Sequence, residues 1–374
     1  MRCRLAEPPR GAIVMAEDTD AARRLVAQCD PDFQADQGDD VNRPNRQILL
    51  AERPDGPLEL HHFREATREI GEPGPGQVLC RIVLLSIDPA NRAWMQGRTC
   101  REQLSGGEVM AGFTLGEVIA GDLPSGTVVA CDAGWQEYAM LPTVDVRPVT
   151  VRGELTHYLG ALGVNGLTAY FGLLEVGRPR PGETVVVSGA AGATGHLVGQ
   201  IAHLAGCRVV GIAGTADKTL LLTDQLGFDA AVNHRSPSLR RDLRAACPEG
   251  VDVYFDNVGG SVLEATLSLM NERGRVVCCS VVSQYDTSSP APGPRGVPGY
   301  LVTRSLRMEG FIVTDFLDRW PHAERRLATW LANGNLVALQ DIIEGLHNAP
   351  AALIGLLKGD NVGKRIVRVG SDPR

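Results

Sequence analysis

The sequence predicts an α/β protein of two domains, a small antiparallel barrel followed by a doubly wound parallel sheet. Short apolar strands alternate with glycine turns from about residue 45 to residue 141, which is typical of a small barrel. Strands and helices alternate with short connections between residues 185 and 282, which is typical of a parallel sheet. A strand, a glycine turn and a helix follow one another at residues 185–204.

The pattern at residues 185–204 organises the second domain. Its strand, Val185–Val187, is β-branched and apolar, as in a strand covered on both faces. The turn after it is a variant of G-x-G-x-x-G in which Ala190 replaces the first glycine, while Gly192 and Gly195 are kept. Such a turn lets a pyrophosphate lie against backbone amides at the start of a helix. A glycine turn without a ligand is the alternative, which the flanking strand and helix disfavour.

The composition excludes several classes of protein. The chain has 374 residues, which favours two domains, and 44% of them are hydrophobic, as in ordinary globular proteins. A net charge of −7 argues against nucleic acid or an anionic membrane as a partner, and no apolar run is long enough to span a bilayer. The nine cysteines include no C-x-x-C pair, so we expect neither a zinc lobe nor a disulfide framework, but reduced thiols in a cytoplasmic protein.

The first part of the chain divides into an extension and a strand-rich segment. Residues 1–42 mix charged, small and proline residues and are predicted to be a disordered extension. The strands predicted after it are 47–51, 58–63, 78–87, 109–120, 127–130 and 137–141. Residues 160–174 are apolar at helical spacing and hold four glycines, which predicts a helix packed closely against a neighbour.

Strand and helix alternate in the second part of the chain. The predicted strands are 185–187, 208–212, 230–232, 251–255, 275–282, 307–313 and 365–369. The predicted helices are 196–204, 218–226, 239–247, 262–271, 319–333 and 349–357. Residues 283–299 are rich in proline, glycine and serine and are predicted to form a long loop, of the kind that often acts as a lid.

The residues after the second strand of this domain bear on the choice of cofactor. An acid about 20 residues past the glycine turn binds the ribose of NAD and repels the 2′-phosphate of NADP. This chain has Gly214 there, followed by Thr215, Asp217 and Lys218. The small residue leaves room and Lys218 can neutralise a phosphate, which favours NADP. In the alternatives, Asp217 binds the ribose of NAD, or Thr215 only caps a helix and Lys218 is solvated.

Seven motifs, in a fixed order, give the chain a family resemblance. They are Ser86-Ile87-Asp88-Pro89, residues 166–173, residues 190–195, residues 253–260, Ser283-Gln284-Tyr285, residues 308–311 and Asn361-Val362-Gly363-Lys364. With them the chain resembles the medium-chain dehydrogenase/reductase superfamily. The closer resemblance is to its zinc-independent branch of prostaglandin reductases, leukotriene hydroxydehydrogenases and NADP-dependent alkenal reductases, and it covers about residue 45 to the end.

The resemblance implies a domain division and a cofactor. A GroES-like β-barrel domain is expected at residues 43–164 and is completed by residues 325–374. A Rossmann domain that binds NADP is expected between them, at residues 165–324. The cofactor is expected in the cleft between the two domains, and the protein is expected to be a homodimer.

The resemblance also implies the residues of the site. The positions that match cofactor-binding positions of the family are Thr168, Gly192, Ala193, Thr194, Gly195, Lys218, His234, Asn257 and Asn361. Among them, Lys218 matches the ligand of the 2′-phosphate, and Asn257 matches a contact to the ribose-phosphate part. Thr168 and Asn361 match contacts near the nicotinamide. Tyr285 matches the tyrosine that reaches the substrate.

The chain departs from the branch at three places. Ala90-Asn91-Arg92 follows Asp-Pro where the branch often has a tyrosine, and Val164-Asn165 stands where it often has Met-Pro. These two departures argue against the eicosanoid substrates of the branch. His234 replaces a tyrosine that helps to hold the 2′-phosphate, although His234 and Arg235 can also face a phosphate. The zinc-binding cysteine and histidine of the alcohol dehydrogenases have no counterpart, and we expect no metal.

The expected chemistry is hydride transfer, which needs no protein nucleophile because the cofactor carries the reaction. We expect reduction of the carbon-carbon double bond of α,β-unsaturated aldehydes or ketones, with Tyr285 stabilising the enolate oxygen and supplying or relaying the proton. Alternatively, Tyr285 only packs under the loop. Quinone reduction is an alternative reaction, as is secondary-alcohol oxidation, which is less favoured without zinc. A non-catalytic NADPH-binding sensor or scaffold is an alternative of another class.

Overall fold

The computed structural model describes residues 44–99, 101–287 and 289–373, so the extension predicted at residues 1–42 lies outside the described residues. Within these ranges the chain forms a seven-stranded mixed sheet, a six-stranded parallel sheet and a two-stranded hairpin. No helix in the described ranges is long and apolar enough to cross a membrane.

The mixed sheet combines strands from both ends of the described chain. The hairpin and the strands of the amino-terminal part are β1 (Pro44–Leu50), β2 (Phe63–Glu69), β3 (Gln77–Ser86), β4 (Thr114–Gly121), β5 (Val128–Cys131), β6 (Tyr138–Pro142) and β7 (Arg147–Pro148). The tail adds β14 (Gln340–Glu344) and β15 (Lys364–Arg368). The order is β14-β15-β3-β4-β5-β7, with β6 also on β3. Strand β15 pairs antiparallel with β3, so the tail completes this sheet.

Two of the strands predicted in this part have the wrong bounds. Residues 58–63 were expected to be extended, but Leu60–His62 is a 3-10 turn, because the amide of His62 turns back to a carbonyl three residues earlier. The strand predicted at 109–120 begins only at Thr114, since the amide of Met110 pairs with the edge of β1 instead. The second difference comes from long-range pairing that local residue patterns do not contain.

Several elements of the mixed-sheet region have no counterpart among the predicted ones: β7, all of β2 after Phe63, and the two elements described next. Helix α1 (Ala90–Gln96) follows β3 and has seven residues, too few for a helical periodicity to be visible. Strand β14 is an edge strand with only five residues, and it runs parallel to β15. Short elements of this kind depend on their tertiary neighbours more than on their own sequence.

The parallel sheet confirms the predicted doubly wound fold. Its strands are β8 (Thr184–Ser188), β9 (Arg208–Ala213), β10 (Ala230–Asn233), β11 (Val251–Asp256), β12 (Met270–Cys278) and β13 (Arg307–Gly310). The order is β10-β9-β8-β11-β12-β13, and every pairing is parallel. The chain reverses its winding direction beside β8, which is where ligands bind in such sheets.

The helices of this part and of the tail are α2 (Val164–Phe171), α3 (Gly195–Leu204), α4 (Ala216–Gln225), α5 (Leu239–Ala246), α6 (Gly260–Leu267), α7 (Val297–Thr303), α8 (Trp320–Ala332) and α9 (Ala349–Lys358). Helix α2 continues into one π-helical segment, Gly172–Gly177. The sheet is buried on both faces. Val185 and Val187 of β8 pack in one apolar cluster, and Val186 packs in another on the opposite face.

Two predicted boundaries around β12 are wrong. The helix predicted at 262–271 ends at Leu267, and β12 already begins at Met270. Strand β12 is irregular near its start: Arg273 has a left-handed backbone with φ 61°, and the register to β11 shifts there. This bulge breaks the alternation by which a strand is recognised, so only the regular part after it was predicted.

The long loop predicted at 283–299 has different bounds in the structure. The strand before it ends at Cys278, and residues 282–284 form a 3-10 turn. At the other end, α7 begins at Val297 with Pro298 in its first turn. Proline is common at that position because the amide it lacks has no partner inside the helix. The prolines therefore mark the start of a helix as well as a loop.

His196, in the first turn of α3, joins the glycine turn to the tail. Its imidazole is buried, with Nδ1 2.7 Å from the carbonyl oxygen of Gly192 and Nε2 3.1 Å from the amide nitrogen of Leu339. Nδ1 must donate to the carbonyl while Nε2 accepts from the amide, so the ring is held in its neutral form. Burial lowers the pKa of His196 to about 4.

This buried histidine predicts a pH dependence of stability. The unfolded chain binds a proton at His196 with an ordinary pKa of 6.5, and the folded chain does so only at about 4. The contribution of the neutral ring is therefore fully present above pH 6.5 and is lost as the pH falls towards 4, by about 2–3 kcal/mol. His196→Gln keeps a donor and an acceptor but does not titrate. When the pH is lowered from 7 to 4, the free energy of unfolding measured with urea should therefore fall less for H196Q than for wild type, by that amount. Parallel pH profiles of the two proteins would contradict this account.

Candidate cofactor and substrate site

The glycine turn between β8 and α3 is shaped for close approach of a ligand to the backbone. Gly189 has a left-handed backbone with φ 59°, and its carbonyl accepts from the amide of Gly192 at 2.9 Å. A Cβ on Gly195 would lie 2.3 Å from that same carbonyl oxygen, so only glycine fits there. Ala193 and Thr194 complete the turn, and α3 begins directly after it. The dipole of α3 is positive at this end and favours an anion.

Helix α2 supports this turn from the side. The side-chain amide of Asn165, at the start of α2, donates to the hydroxyl of Thr194 at 3.2 Å. Thr168, one turn further along the same helix, is half-buried. The structure thus brings the helix of Thr168 against the glycine turn.

Two cationic side chains and one imidazole gather around the end of β9, where Gly214 stands. A Cβ on Gly214 would lie 3.1 Å from Nε2 of His234 and 3.7 Å from Nε of Arg235. Lys218, on the first turn of α4, completes the group. Burial, Arg235 and Lys218 together lower the pKa of His234, and burial lowers the pKa of Lys218. A doubly charged anion would relieve the mutual repulsion of these cations.

The two charged members of this group, Lys218 and Arg235, donate hydrogen bonds to neutral carbonyl groups of the tail. Lys218 Nζ donates to the carbonyl of Gly359 at 2.6 Å, and Arg235 Nη2 donates to that of Lys358 at 3.4 Å. Asp360 lies close enough to raise the pKa of Lys218, but burial outweighs it. Both cations therefore keep most of their charge for a ligand.

The structure also bears on the alternatives at this position. The hydroxyl of Thr215 accepts from the amide of Lys218 at 3.3 Å, so Thr215 is a helix cap. Lys218 is half-buried and bound to a carbonyl, which is not the solvated side chain of that alternative. Asp217 is exposed on the first turn of α4.

Asn257 lies at the carboxyl end of β11, beside the glycine turn. Its side-chain amide donates to the carbonyl of Ser188 at 2.7 Å, and its backbone amide donates to the Ser188 hydroxyl at 2.9 Å. The neighbouring Asp256 is buried and accepts from Ser188 and Tyr254. Asn257 therefore joins the ends of two neighbouring strands, at the edge where ligands bind.

The tail approaches the glycine turn through Gly363. The amide of Gly363 donates to the carbonyl of Ala191 at 2.7 Å, and Gly363 pairs with Gly192 in a parallel bridge. The side-chain amide of Asn361 donates to the Gly363 carbonyl at 2.9 Å. Asn361 is thereby placed on the segment that contacts the glycine turn.

Tyr285 ends the 3-10 turn that follows β12. Its amide donates to Val282 at 3.2 Å, and the side chain is half-buried. Burial raises the pKa of the Tyr285 phenol, and this effect outweighs the opposing hydrogen bond from the backbone of Val281. The phenol thus stays protonated at neutral pH and can act as a donor.

The structure adds a buried ion pair that the sequence did not predict. Lys364 is 2% exposed, and its Nζ lies 2.6 Å from Asp88 Oδ1 and 3.0 Å from the carbonyl oxygen of Ile87. Both partners stand in motifs noted above, but the motifs are far apart in the chain. The carboxylate of Asp88, just after β3, holds the lysine beside Gly363 and so fixes the tail against β3.

One cluster in the described ranges has the spacing of metal ligands. It consists of Glu52, His61 and His62, whose ligand atoms all lie within 4.8 Å of one another. Glu52 and His61 are exposed on a turn of the hairpin. Exposed groups of this kind are common without an ion, and we assign none.

Comparison with known proteins places these features in a family. Residues 193–329 match the family described as zinc-binding dehydrogenase, and residues 46–149 match the N-terminal domain of oxidoreductases. The chain is 39% identical over 341 residues to the NADPH-dependent curcumin reductase of Escherichia coli. The alignment covers 88% of this chain and 98% of the relative. The chain is also 39% identical over 320 residues to prostaglandin reductase 1 of Rattus norvegicus, covering 82% and 94%.

A solved structure agrees with the fold. The crystal structure of CurA from Vibrio vulnificus in complex with NADPH superposes with a TM-score of 0.83 at 37% identity, covering 87% of this chain and 100% of that one. The predicted combination of a GroES-like domain with a Rossmann domain is thereby confirmed. The chain belongs to the medium-chain dehydrogenase/reductase family, in the branch that contains the prostaglandin reductases and the curcumin reductases.

Proposed function

We propose that this protein is an NADPH-dependent reductase of the carbon-carbon double bond of α,β-unsaturated aldehydes or ketones. The observation that carries the proposal is the group formed by the cations Lys218 and Arg235 and the imidazole of His234 around Gly214, where an NAD-binding domain would hold a carboxylate. The relatives named for curcumin and prostaglandin reduction, and the related structure that contains NADPH, support the same assignment.

The residues of the site fit NADP. Gly192–Gly195 would receive the pyrophosphate, since a side chain at Gly195 would collide with the turn. Lys218 and His234 would hold the 2′-phosphate with Arg235. Asn257 would contact the ribose-phosphate part at the ends of the strands, and Thr168 and Asn361 would lie near the nicotinamide. The cofactor, when bound, supplies the hydride.

The chain's own part in the reaction is to hold the substrate and provide a proton. A hydride delivered to the β-carbon forms one carbon-hydrogen bond and moves the double-bond electrons towards the carbonyl oxygen. The Tyr285 phenol, kept protonated by its raised pKa, would donate a hydrogen bond to that oxygen as its charge grows. The α-carbon then takes a proton, from or through Tyr285, and the saturated aldehyde or ketone leaves.

We also propose the organisation that goes with this activity. The GroES-like domain spans residues 43–164 and 325–374, and the Rossmann domain spans residues 165–324; the pairing of β15 with β3 supports this division. Hydride transfer would proceed without zinc, because the alcohol-dehydrogenase zinc ligands have no counterpart in the sequence. The enzyme would act as a cytoplasmic homodimer on small molecules, without a nucleic-acid or membrane partner.

A substrate panel tests the proposed reaction. NADPH and NADH oxidation would be followed with enones, alkenals, quinones and simple ketones. The proposal expects NADPH oxidation with the enones and alkenals and a saturated carbonyl product by mass spectrometry. Reduction of quinones alone would replace it with a quinone reductase. Tight NADPH binding without any turnover would favour a cofactor-binding sensor.

The 2′-phosphate pocket predicts a selective loss of NADPH affinity. Lys218→Ala removes one charge-assisted hydrogen bond, which should weaken NADPH binding by about 10- to 100-fold and leave NADH binding within about twofold. Fluorescence titration with both cofactors would measure this. Lys358→Ala, which changes an exposed lysine nearby on α9, is the matched control. If K218A weakened NADH binding as much as NADPH binding, Lys218 would not be the phosphate ligand.

The proposed role of Tyr285 predicts a separation of turnover from cofactor binding. Tyr285→Phe removes the donor to the carbonyl oxygen and should lower kcat for enone reduction by about 10- to 100-fold, while the Kd for NADPH is retained. Tyr300→Phe, in the nearby helix α7, serves as control and should keep full turnover. Unaltered kcat in Y285F would remove the phenol from the mechanism.

A further inference from the structure

Arg92 of α1 is the most deeply buried arginine of the mixed-sheet domain, with 1% of its surface exposed. Its Nε donates to Asp286 Oδ1 at 3.0 Å, and its Nη2 donates to the carbonyl of Gly56 at 2.8 Å. Asp286 Oδ1 also accepts from the amide of Leu58 at 2.8 Å. One carboxylate therefore ties together α1, the turn before the first 3-10 segment and the segment after β12.

That carboxylate belongs to the residue directly after Tyr285. Residues 282–286, which we call the Tyr285 turn, are held at their other end by the parallel-sheet domain. The amide of Val282 donates to the carbonyl of Asn257 at 3.3 Å, and that of Ser283 donates to Val258 at 3.1 Å. The Tyr285 turn thus runs from the carboxyl end of β11 to the mixed-sheet domain, where Arg92 binds the carboxylate of Asp286.

Helix α1 contacts the segment beyond Asp286 as well. The side-chain amide of Gln96 donates to the carbonyl of Thr287 at 3.3 Å. Two side chains one helical turn apart on α1, Arg92 and Gln96, therefore hold two consecutive residues. These two contacts lie in the sequence between Tyr285 and the proline-rich residues 289–296, so movement of that stretch is not passed directly to Tyr285.

The Arg92 contacts are poorly suited to stability alone. A buried ion pair gains little over a well-packed apolar pair, because both charges must leave water. The third nitrogen, Nη1, is buried and has no hydrogen-bond partner among the described residues, which further destabilises the fold. An arrangement that costs stability but fixes one defined geometry is typical of a functional site.

We propose that Arg92 is a positioning residue for the reaction: through Asp286 it fixes the Tyr285 turn, and with it the phenol, relative to the substrate side of the cleft. The inference rests on the proposed function, since it gives Arg92 its purpose through Tyr285. Helix α1 would then connect the mixed-sheet domain to the end of the parallel sheet where the cofactor binds.

A double-mutant cycle tests the kinetic part. Arg92→Met and Asp286→Asn should each lower kcat for the enone by about tenfold or more, with the Kd for NADPH within about twofold of wild type. The double variant should be no slower than the slower single variant, because both break one contact. Arg92→Lys should recover part of kcat. Additive losses, or a kcat close to wild type in R92M, would overturn the proposal.

A matched control separates positioning from folding. Arg275 makes a half-buried ion pair with Glu183, and it lies at the opposite edge of the parallel sheet, where its guanidinium also binds the carbonyl of Gly177. Arg275→Met should lower the melting temperature as Arg92→Met does, but it should retain kcat. If both variants lost turnover in proportion to stability, Arg92 would be a structural residue only.

Hydrogen–deuterium exchange tests the same inference without turnover. In the full chain, the amides of residues 281–286 should exchange at least about tenfold faster in R92M than in wild type, and at the wild-type rate in R275M. This result would support the positioning role even if the substrate panel failed to show enone reduction. Unchanged exchange in R92M would refute it even if the protein proves to be an enone reductase.

Discussion

The hydrogen bond from the amide of Gly363 to the carbonyl of Ala191 fixes how the tail meets the cofactor turn. Because this bond holds the tail at one point, the residues on either side of Gly363 reach different places. Towards the amino terminus, the carbonyl of Gly359 receives Lys218; towards the carboxyl terminus, Lys364 enters the mixed sheet and binds Asp88. The cationic pocket, the glycine turn and β3 are thus connected through six residues of backbone.

Four cations around the site fall into two groups by what they bind. Lys364 and Arg92 face carboxylates, which already compensate their charge. Lys218 and Arg235 face only carbonyl groups in their hydrogen bonds, and a carbonyl dipole compensates a full charge much less than a carboxylate does. The first group therefore holds the domains together, while the second is available to an anionic ligand. Hydrogen-bond partners, and not charge counts, separate structural from binding cations here.

The sequence was sufficient for the parallel sheet because its signals are local. Val185–Val187 followed by a glycine turn predicts strand, turn and helix without knowledge of the rest of the chain, and Gly214 with Lys218 predicts the cofactor from one short stretch. Other contacts join residues that are far apart in the chain: Arg92 and Asp286 are separated by 194 positions, and Asp88 and Lys364 by 276. No periodicity or motif records such a pairing. The start of β12 was missed for a different reason: the bulge at Arg273 disturbs the local alternation by which a strand is recognised.

The place of β15 in the mixed sheet has a consequence for synthesis. Ser86 of β3 pairs with Ile366, so the partner of residues 84–86 on this edge does not exist until 280 further residues have been made (366 − 86), whereas β6 can already cover residues 77–81 of the same edge. At about 5–20 residues per second, translation leaves this edge of β3 uncovered for roughly 15–60 seconds. The nucleotide-binding half can be completed on the ribosome during that time, whereas the amino-terminal half must wait. Folding order is therefore expected to run against chain order, with the carboxyl end of β3 unpaired on this edge until the tail arrives.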